Sequence, residues 1–170
     1  VPVSAKVRCL YTREEIKENI RRILGELDGR AELLLATKTV PPELINYAVT
    51  CGTRLIGENR VQELLEKYDS LDKENMEIHF IGHLQTNKVK YIIPYVKLIH
   101  SVDSFKLLQE INKQAEKHNI IQDVLLEIHI AQEESKYGLT PDACRKLLQE
   151  TPWRELSNIR ICGLMAMSSF

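Results

Sequence analysis

Residues 32–42 read E-L-L-L-A-T-K-T-V-P-P, and this stretch decides the fold. Four apolar residues, Leu33 to Ala36, run straight into Thr37 and Lys38, and Pro41-Pro42 then stop any extended structure. A continuous apolar run predicts a parallel strand buried on both faces, whereas a half-exposed strand alternates. Lys38 then falls at the carboxyl end of that strand, where open α/β sheets and (β/α)₈ barrels alike gather their chemistry. An ammonium at the mouth of an apolar pocket loses hydration, which lowers its pKa and supplies the neutral amine that Schiff-base chemistry needs. The plainer alternative is a strand-end lysine that snorkels to solvent.

Working outward, strand and helix patterns alternate. On the amino-terminal side, Thr12 stands three residues before Glu15, a capping-box spacing, and Ile16, Ile20, Ile23, Leu24 and Leu27 recur at helical intervals as far as Asp28-Gly29. Residues 1–10 have no clear period and are set aside as a flexible start. On the carboxyl side, Pro41-Pro42 open a helix through Leu44, Ile45, Ala48 and Val49, which Gly52 stops. Strands are predicted over Thr53–Ile56, Met76–Ile81, Val96–Val102, Val124–Ile130 and Ile159–Met167. Helices are predicted over Arg60–Tyr68 and about Asn87–Ile93, and through Leu107, Leu108, Ile111 and Ala115, then Ala143, Leu147 and Leu148. Six strands alternating with helices are the signature of parallel βαβ units in a single domain over residues 1–170. The choice is between a flavodoxin-like sheet and a (β/α)₈ barrel, and the barrel needs two more βα units than the pattern contains.

Composition narrows the function classes. The 170 residues carry 23 basic and 24 acidic side chains, a net charge of −1, so no long-range field selects nucleic acid or an anionic membrane. No apolar run approaches the length a bilayer requires, and residues 1–10 hold no core for a secretory signal, which places the protein in the cytoplasm. Cys9, Cys51, Cys144 and Cys162 lack C-x-x-C spacing and are read as reduced, with Cys51 and Cys162 buried as small hydrophobes. No metal site is indicated, because neither H-E-x-x-H nor H-x-H occurs. Dinucleotide, P-loop and nucleophile-elbow motifs are missing as well.

Polar residues recur at the carboxyl ends of the predicted strands: Lys38, Asn59, His83, Ser101 with Asp103, and Glu127 with His129. Converging loops that each contribute one group build a site in this way. Asp103, Ser104 and Thr140 are read instead as helix caps, and His79 as a satisfied core histidine. Glu127 and His129 alternate to one face, the lumen of a barrel or a solvated edge of an open sheet.

Taken in order, A-T-K-T at 36–39, G-E-N-R-V-Q-E at 57–63, H-F-I-G-H-L-Q-T-N-K at 79–88, H-S-V-D-S at 100–104 and the E-x-S-K-x-G element at 133–138 resemble the pyridoxal-phosphate homeostasis protein family, the YggS/PROSC-like group. The resemblance implies a (β/α)₈ TIM-barrel-like domain similar to the N-terminal domain of alanine racemase, with about six of its eight strands present. It further implies pyridoxal 5′-phosphate as cofactor, held as a Schiff base on Lys38 with Asn59 and His83 beside it. The implied role is intracellular homeostasis of the cofactor without robust catalysis, with enzymes that use pyridoxal phosphate as partners. The family's last two βα units, whose loops hold the cofactor phosphate, have no counterpart in these residues, which implies a barrel recorded in part or weak retention of the cofactor. A racemase-like enzyme acting through the same cofactor and a cofactor-free interaction module are the competing readings.

Overall fold

The computed structural model describes residues 11–130 and 137–168. The expectation of a flexible start at residues 1–10 and the residues Glu133, Glu134, Ser135 and Lys136 fall outside the described residues. The chain folds as α1 (Arg13–Leu27), β1 (Leu34–Ala36), α2 (Pro42–Val49), β2 (Leu55–Glu58), α3 (Val61–Tyr68), β3 (Glu77–Phe80), a 3₁₀ turn at Thr86–Lys88, α4 (Val89–Ile92), β4 (Leu98–Val102), α5 (Phe105–Lys117), β5 (Gln122–Ile128), α6 (Pro141–Glu150), a 3₁₀ turn at Trp153–Glu155 and β6 (Ile159–Ala166).

Local chemistry sets the boundaries. Thr12 accepts from the Glu15 amide while the Glu15 carboxylate accepts from the Thr12 amide at 2.7 Å, so the predicted capping box closes α1. Pro42 lies at the first turn of α2, where its missing donor costs nothing. Ser104 and Thr140 cap α5 and α6 through the amides of Leu107 and Ala143, as their positions predict. Asp103 instead leaves its helix and accepts from the Gly138 amide at 3.3 Å, a long-range tie that sequence spacing does not reveal.

All six strands are parallel and lie in the order β1-β2-β3-β4-β5-β6. Neighbours in a parallel sheet point their side chains to the same face, so the register divides the residues between two faces. Ile56, Ile78, Phe80, Ile99 and Val124 face the helices and join Ile45, Leu64, Val89, Ile92, Leu108 and Ile111 in one core, with Leu35 on the same face at its edge. Complete burial of each such side chain is worth roughly 1.5–3 kcal/mol, and this layer holds the sheet. The opposite face carries Leu34 and Ala36, Leu55 and Gly57, Glu77 and His79, Leu98, Asp123 and Leu125; in a closed barrel it would be the lumen.

Among the described residues the sheet does not close, and this corrects two expectations. The strand at Leu33–Ala36 is not buried on both faces: Leu34 and Leu35 are half-buried and Ala36 is exposed, because β1 is an edge and its lumen side is open. The cysteines also differ from expectation. Cys144 is buried, Cys51 is intermediate and Cys162 is exposed, since β6 is the other edge and its side chains from Arg160 onward alternate out of contact. No helix among the described residues is long and apolar enough to cross a membrane.

Candidate functional site

The register carries the alternation of β1 past its end. Leu34 and Ala36 face the lumen, Thr37 turns back toward α3, and Lys38 follows in a turn that the Val40 amide closes on the Thr37 carbonyl at 3.0 Å. Lys38 is exposed, and its amine makes no hydrogen bond or ion pair among the described residues. The shielded amine at an apolar pocket mouth is therefore not what the six strands build: with the lumen open, nothing described covers this lysine.

Its neighbours are held firmly. Thr37 is 3% exposed; its hydroxyl donates to Glu58 Oε1 at 2.8 Å and its carbonyl accepts from Lys67 Nζ at 2.9 Å. Lys67 Nζ also donates to Glu58 Oε1 at 3.0 Å and to Glu63 Oε1 at 2.6 Å. Glu63 Oε1 accepts in turn from the Thr39 amide at 2.5 Å. Thr39 adopts φ 63, a left-handed conformation unusual for a β-branched residue. Glu58 is fully buried between β2 and α3, and burial pushes its carboxyl above the ordinary 4.5 against the pull of Thr37 and Lys67. Burial pushes Glu63 the same way, but the hydrogen bonds from Lys67 and the Thr39 amide prevail and hold it below the ordinary range.

Asn59 follows β2 directly, and its position is fixed by β3. A Cβ on Gly82 would lie 2.0 Å from the Asn59 carbonyl oxygen, so only glycine lets the two strand ends approach this closely. The chain leaving Gly82 delivers His83, and Asn59 and His83 line one cleft of about 700 Å³ together with Arg60, Gln62, Lys88 and Tyr91. Lys38 is not in its lining. Of the three predicted site residues, Asn59 and His83 thus share a cavity and Lys38 stands on the adjacent strand end.

The far side of the rim is built by the segment after β5. The Leu139 amide donates to the Glu127 carbonyl at 2.7 Å and the His129 amide donates to the Leu139 carbonyl at 2.8 Å. Gly138, at φ 104, has no space for a Cβ against His129 and lets the segment fold back. This brings Tyr137 onto His83, with ring centroids 3.8 Å apart and planes 18° from parallel. Glu127 is buried, and burial together with the nearby Asp103 charge raises its carboxyl. Deeper on the lumen face His79 Nε2 lies 3.1 Å from Glu77 Oε1, and its Nδ1 lies 2.9 Å from His100 Nε2. A carboxylate only accepts, so His79 Nε2 donates to Glu77, and His79 Nδ1 and His100 Nε2 share one hydrogen between them. His79 is thus the satisfied histidine that its apolar strand predicts.

The sequence reading did not single out Glu58, Glu63, Lys67 or Tyr137. The i,i+4 pair Glu63-Lys67 and an acid inside an otherwise apolar strand were the available signals. In chemical terms the rim offers two primary amines without a hydrogen bond or ion pair among the described residues, Lys38 flanked by a pinned backbone and Lys88 in the cleft beside the Tyr91 ring, with an amide, an imidazole and a phenol ring on the same rim. This donor set fits an aldehyde-bearing ring. Lys67 does not, because three acceptors already hold its ammonium.

The family described as alanine racemase, N-terminal domain, matches residues 12–170. The chain is 48% identical over 168 residues to the pyridoxal phosphate homeostasis protein of Aquifex aeolicus, covering 99% of this chain and 72% of that protein. It is 32% identical over 165 residues to the protein of the same name from Helicobacter pylori, covering 96% of this chain and 68% of that one. Among solved structures it is similar to PipY of Synechococcus elongatus with pyridoxal phosphate bound, with a TM-score of 0.80 and 28% identity over 89% of this chain and 70% of that chain.

Proposed function

The chain belongs to the pyridoxal phosphate homeostasis protein family, built on the alanine racemase N-terminal domain, and from that premise we propose that it binds pyridoxal 5′-phosphate as a Schiff base on Lys38 and serves the cofactor's homeostasis inside the cell without robust turnover of its own. The observation that carries the reading is the contrast between two lysines of one rim. Lys67 is consumed by Glu58, Glu63 and the Thr37 carbonyl, while Lys38 follows the end of β1 with its amine unengaged among the described residues.

Condensation with an aldehyde joins Lys38 Nζ to the carbonyl carbon and releases the oxygen as water, with no change of oxidation state. Asn59 and His83 are the residues we place beside the ring, Asn59 as a donor and acceptor and His83 as a stacked edge backed by Tyr137. A racemase needs acid/base groups on both faces of a substrate carbanion, whereas the relatives that match along nearly the whole chain are named for homeostasis of the cofactor. We therefore place the protein with carriers, with enzymes that use pyridoxal phosphate as its recipients or donors.

The test is a titration with pyridoxal phosphate followed by absorbance. The wild-type chain should develop the red-shifted band of a protein-bound Schiff base, and Lys38→Ala should lose it. Persistence of the band in Lys38→Ala would refute the assignment. With the loaded chain in deuterium oxide, no deuterium should enter the α position of alanine or serine; rapid entry would favour the enzyme reading.

A further inference from the structure

We infer that Glu58, Glu63 and Lys67 are positioning residues for Lys38: together they clamp the backbone on both sides of it and aim its side chain into the lumen. The inference rests on the reading of Lys38 as the cofactor lysine and adds the device that orients it.

Three contacts make the clamp. The Thr37 hydroxyl is tied to Glu58 and the Thr37 carbonyl to Lys67, both on the helix side of the sheet, and the Thr39 amide is tied to Glu63. Thr37 and Thr39 are the residues immediately before and after Lys38, so the two bonds at Thr37 and the one at Thr39 leave the peptide units around Lys38 little freedom to turn. Thr37 is pulled toward α3 and its carbonyl also closes the turn to the Val40 amide at 3.0 Å, so Lys38, the first corner of that turn, is aimed to the opposite face. Glu63 Oε1 is the shared node, accepting from both Thr39 and Lys67, and Lys67 joins it to the buried Glu58.

Two further observations point from the network to Lys38. Thr39 is held at φ 63, a conformation that costs energy for a β-branched residue and persists only where surrounding bonds over-determine it. The bond from its amide to Glu63 is one that can do so. The network also absorbs the lysine nearest in the fold to the Lys38 backbone: with three acceptors around Nζ, Lys67 is withheld from any aldehyde, and Lys88, in the cleft on the far side of Asn59, is the competitor that the aim of Lys38 must beat. A buried ion pair contributes little net stability, and specificity of conformation is the role that explains retaining one here.

Glu63 is the variant of choice, because it is half-buried and its removal leaves the Glu58–Lys67 pair intact. In the cofactor-free chain, hydrogen exchange at the Thr39 amide should be about tenfold faster in Glu63→Ala and within about twofold of wild type in Glu63→Gln, which keeps the acceptor. Pyridoxal phosphate should bind Glu63→Ala about tenfold more weakly, as expected for one charge-assisted hydrogen bond, and borohydride-trapped pyridoxyl should spread from Lys38 to other lysines. Glu63→Gln should restore both the affinity and the selectivity, which a loss of general stability would not do. Unchanged affinity and unchanged trapping selectivity in Glu63→Ala would overturn the positioning role while leaving Lys38 as the cofactor lysine. Should wild type itself form no Schiff base, the underlying reading falls; the exchange rates at Thr39 then judge the clamp alone, and equal rates in wild type and Glu63→Ala would dismiss it. If Glu63→Ala proves too unstable to assay, Thr37→Val removes the hydroxyl bond to Glu58 from the other side of Lys38 and should give the same loss of selectivity; wild-type selectivity there would also count against the proposal.

Discussion

At the scale of single residues, the rim turns on which charges are engaged. Lys67 neutralises a pocket that holds one fully buried carboxylate and one half-buried carboxylate, and removing one partner of a buried pair strands the other without solvent. Lys67→Met should therefore lower the unfolding free energy by about 3–5 kcal/mol, a large share of the roughly 5–15 kcal/mol available to a domain. The double variant Glu58→Gln/Lys67→Met should recover much of that loss, because the stranded charge is then gone. Urea unfolding of wild type, both single variants and the double variant checks both statements, and additive losses in the double variant would show that the pair does not act as a unit. The places of Lys38 and Asn59 just beyond strand ends were legible because an apolar run that stops at a polar residue marks the end of a buried strand. Glu58 and Lys67 were not, because a buried acid needs its partner named, and the partner lies on the following helix where i,i+4 charge pairs are ordinarily solvated.

At the scale of elements, close approach of strand ends and one lumenal histidine pair give measurable consequences. Gly82→Ala would put a methyl group 2.0 Å from the Asn59 carbonyl, so the β2 and β3 ends must part. A cost of about 1–3 kcal/mol follows from such overpacking, with displaced amide resonances for Asn59 and His83 as the local check. Unshifted resonances would show that the approach is looser than described. Between β3 and β4, burial and the neighbouring His79 lower His100 from 6.5 to about 4. Its folded value lies below its unfolded one, so the unfolded chain takes the proton first and stability is lost as pH falls from about 6.5 toward 4. His100→Gln, which can keep the bond to His79, should flatten that part of the Tm against pH curve; an unaltered slope would assign it to other groups. Helix starts were readable at this scale, since Thr12, Pro42, Ser104 and Thr140 declare themselves by local chemistry. The role of Asp103 was not, because its partner Gly138 is 35 residues away.

At the scale of the molecule, the strand rhythm indicated parallel βαβ units but left a flavodoxin-like sheet and a barrel order open, which only the family resemblance separated, while the apolar run of β1 misled. Leu33–Ala36 has the composition of a strand covered on both faces, yet the described sheet leaves its lumen side open and β1 at an edge. Burial depends on what stands opposite, and no local pattern records that. Backbone protection should follow the strand order: amides of β3 and β4, in the middle of the sheet, should exchange slowest, and those of β1 and β6 fastest, by more than tenfold. Uniform protection across all six strands would mean that the edges are covered. The cofactor assignment draws on the same geometry, since Lys67 is held by three acceptors and Lys38 and Lys88 are the rim lysines left without a hydrogen bond or ion pair among the described residues. Borohydride reduction of the chain loaded with pyridoxal phosphate, followed by peptide mass mapping, tests this most directly. The account predicts one dominant pyridoxyl-modified peptide, carrying the tag on Lys38; a tag on Lys67, or one spread evenly over the lysines, would contradict it.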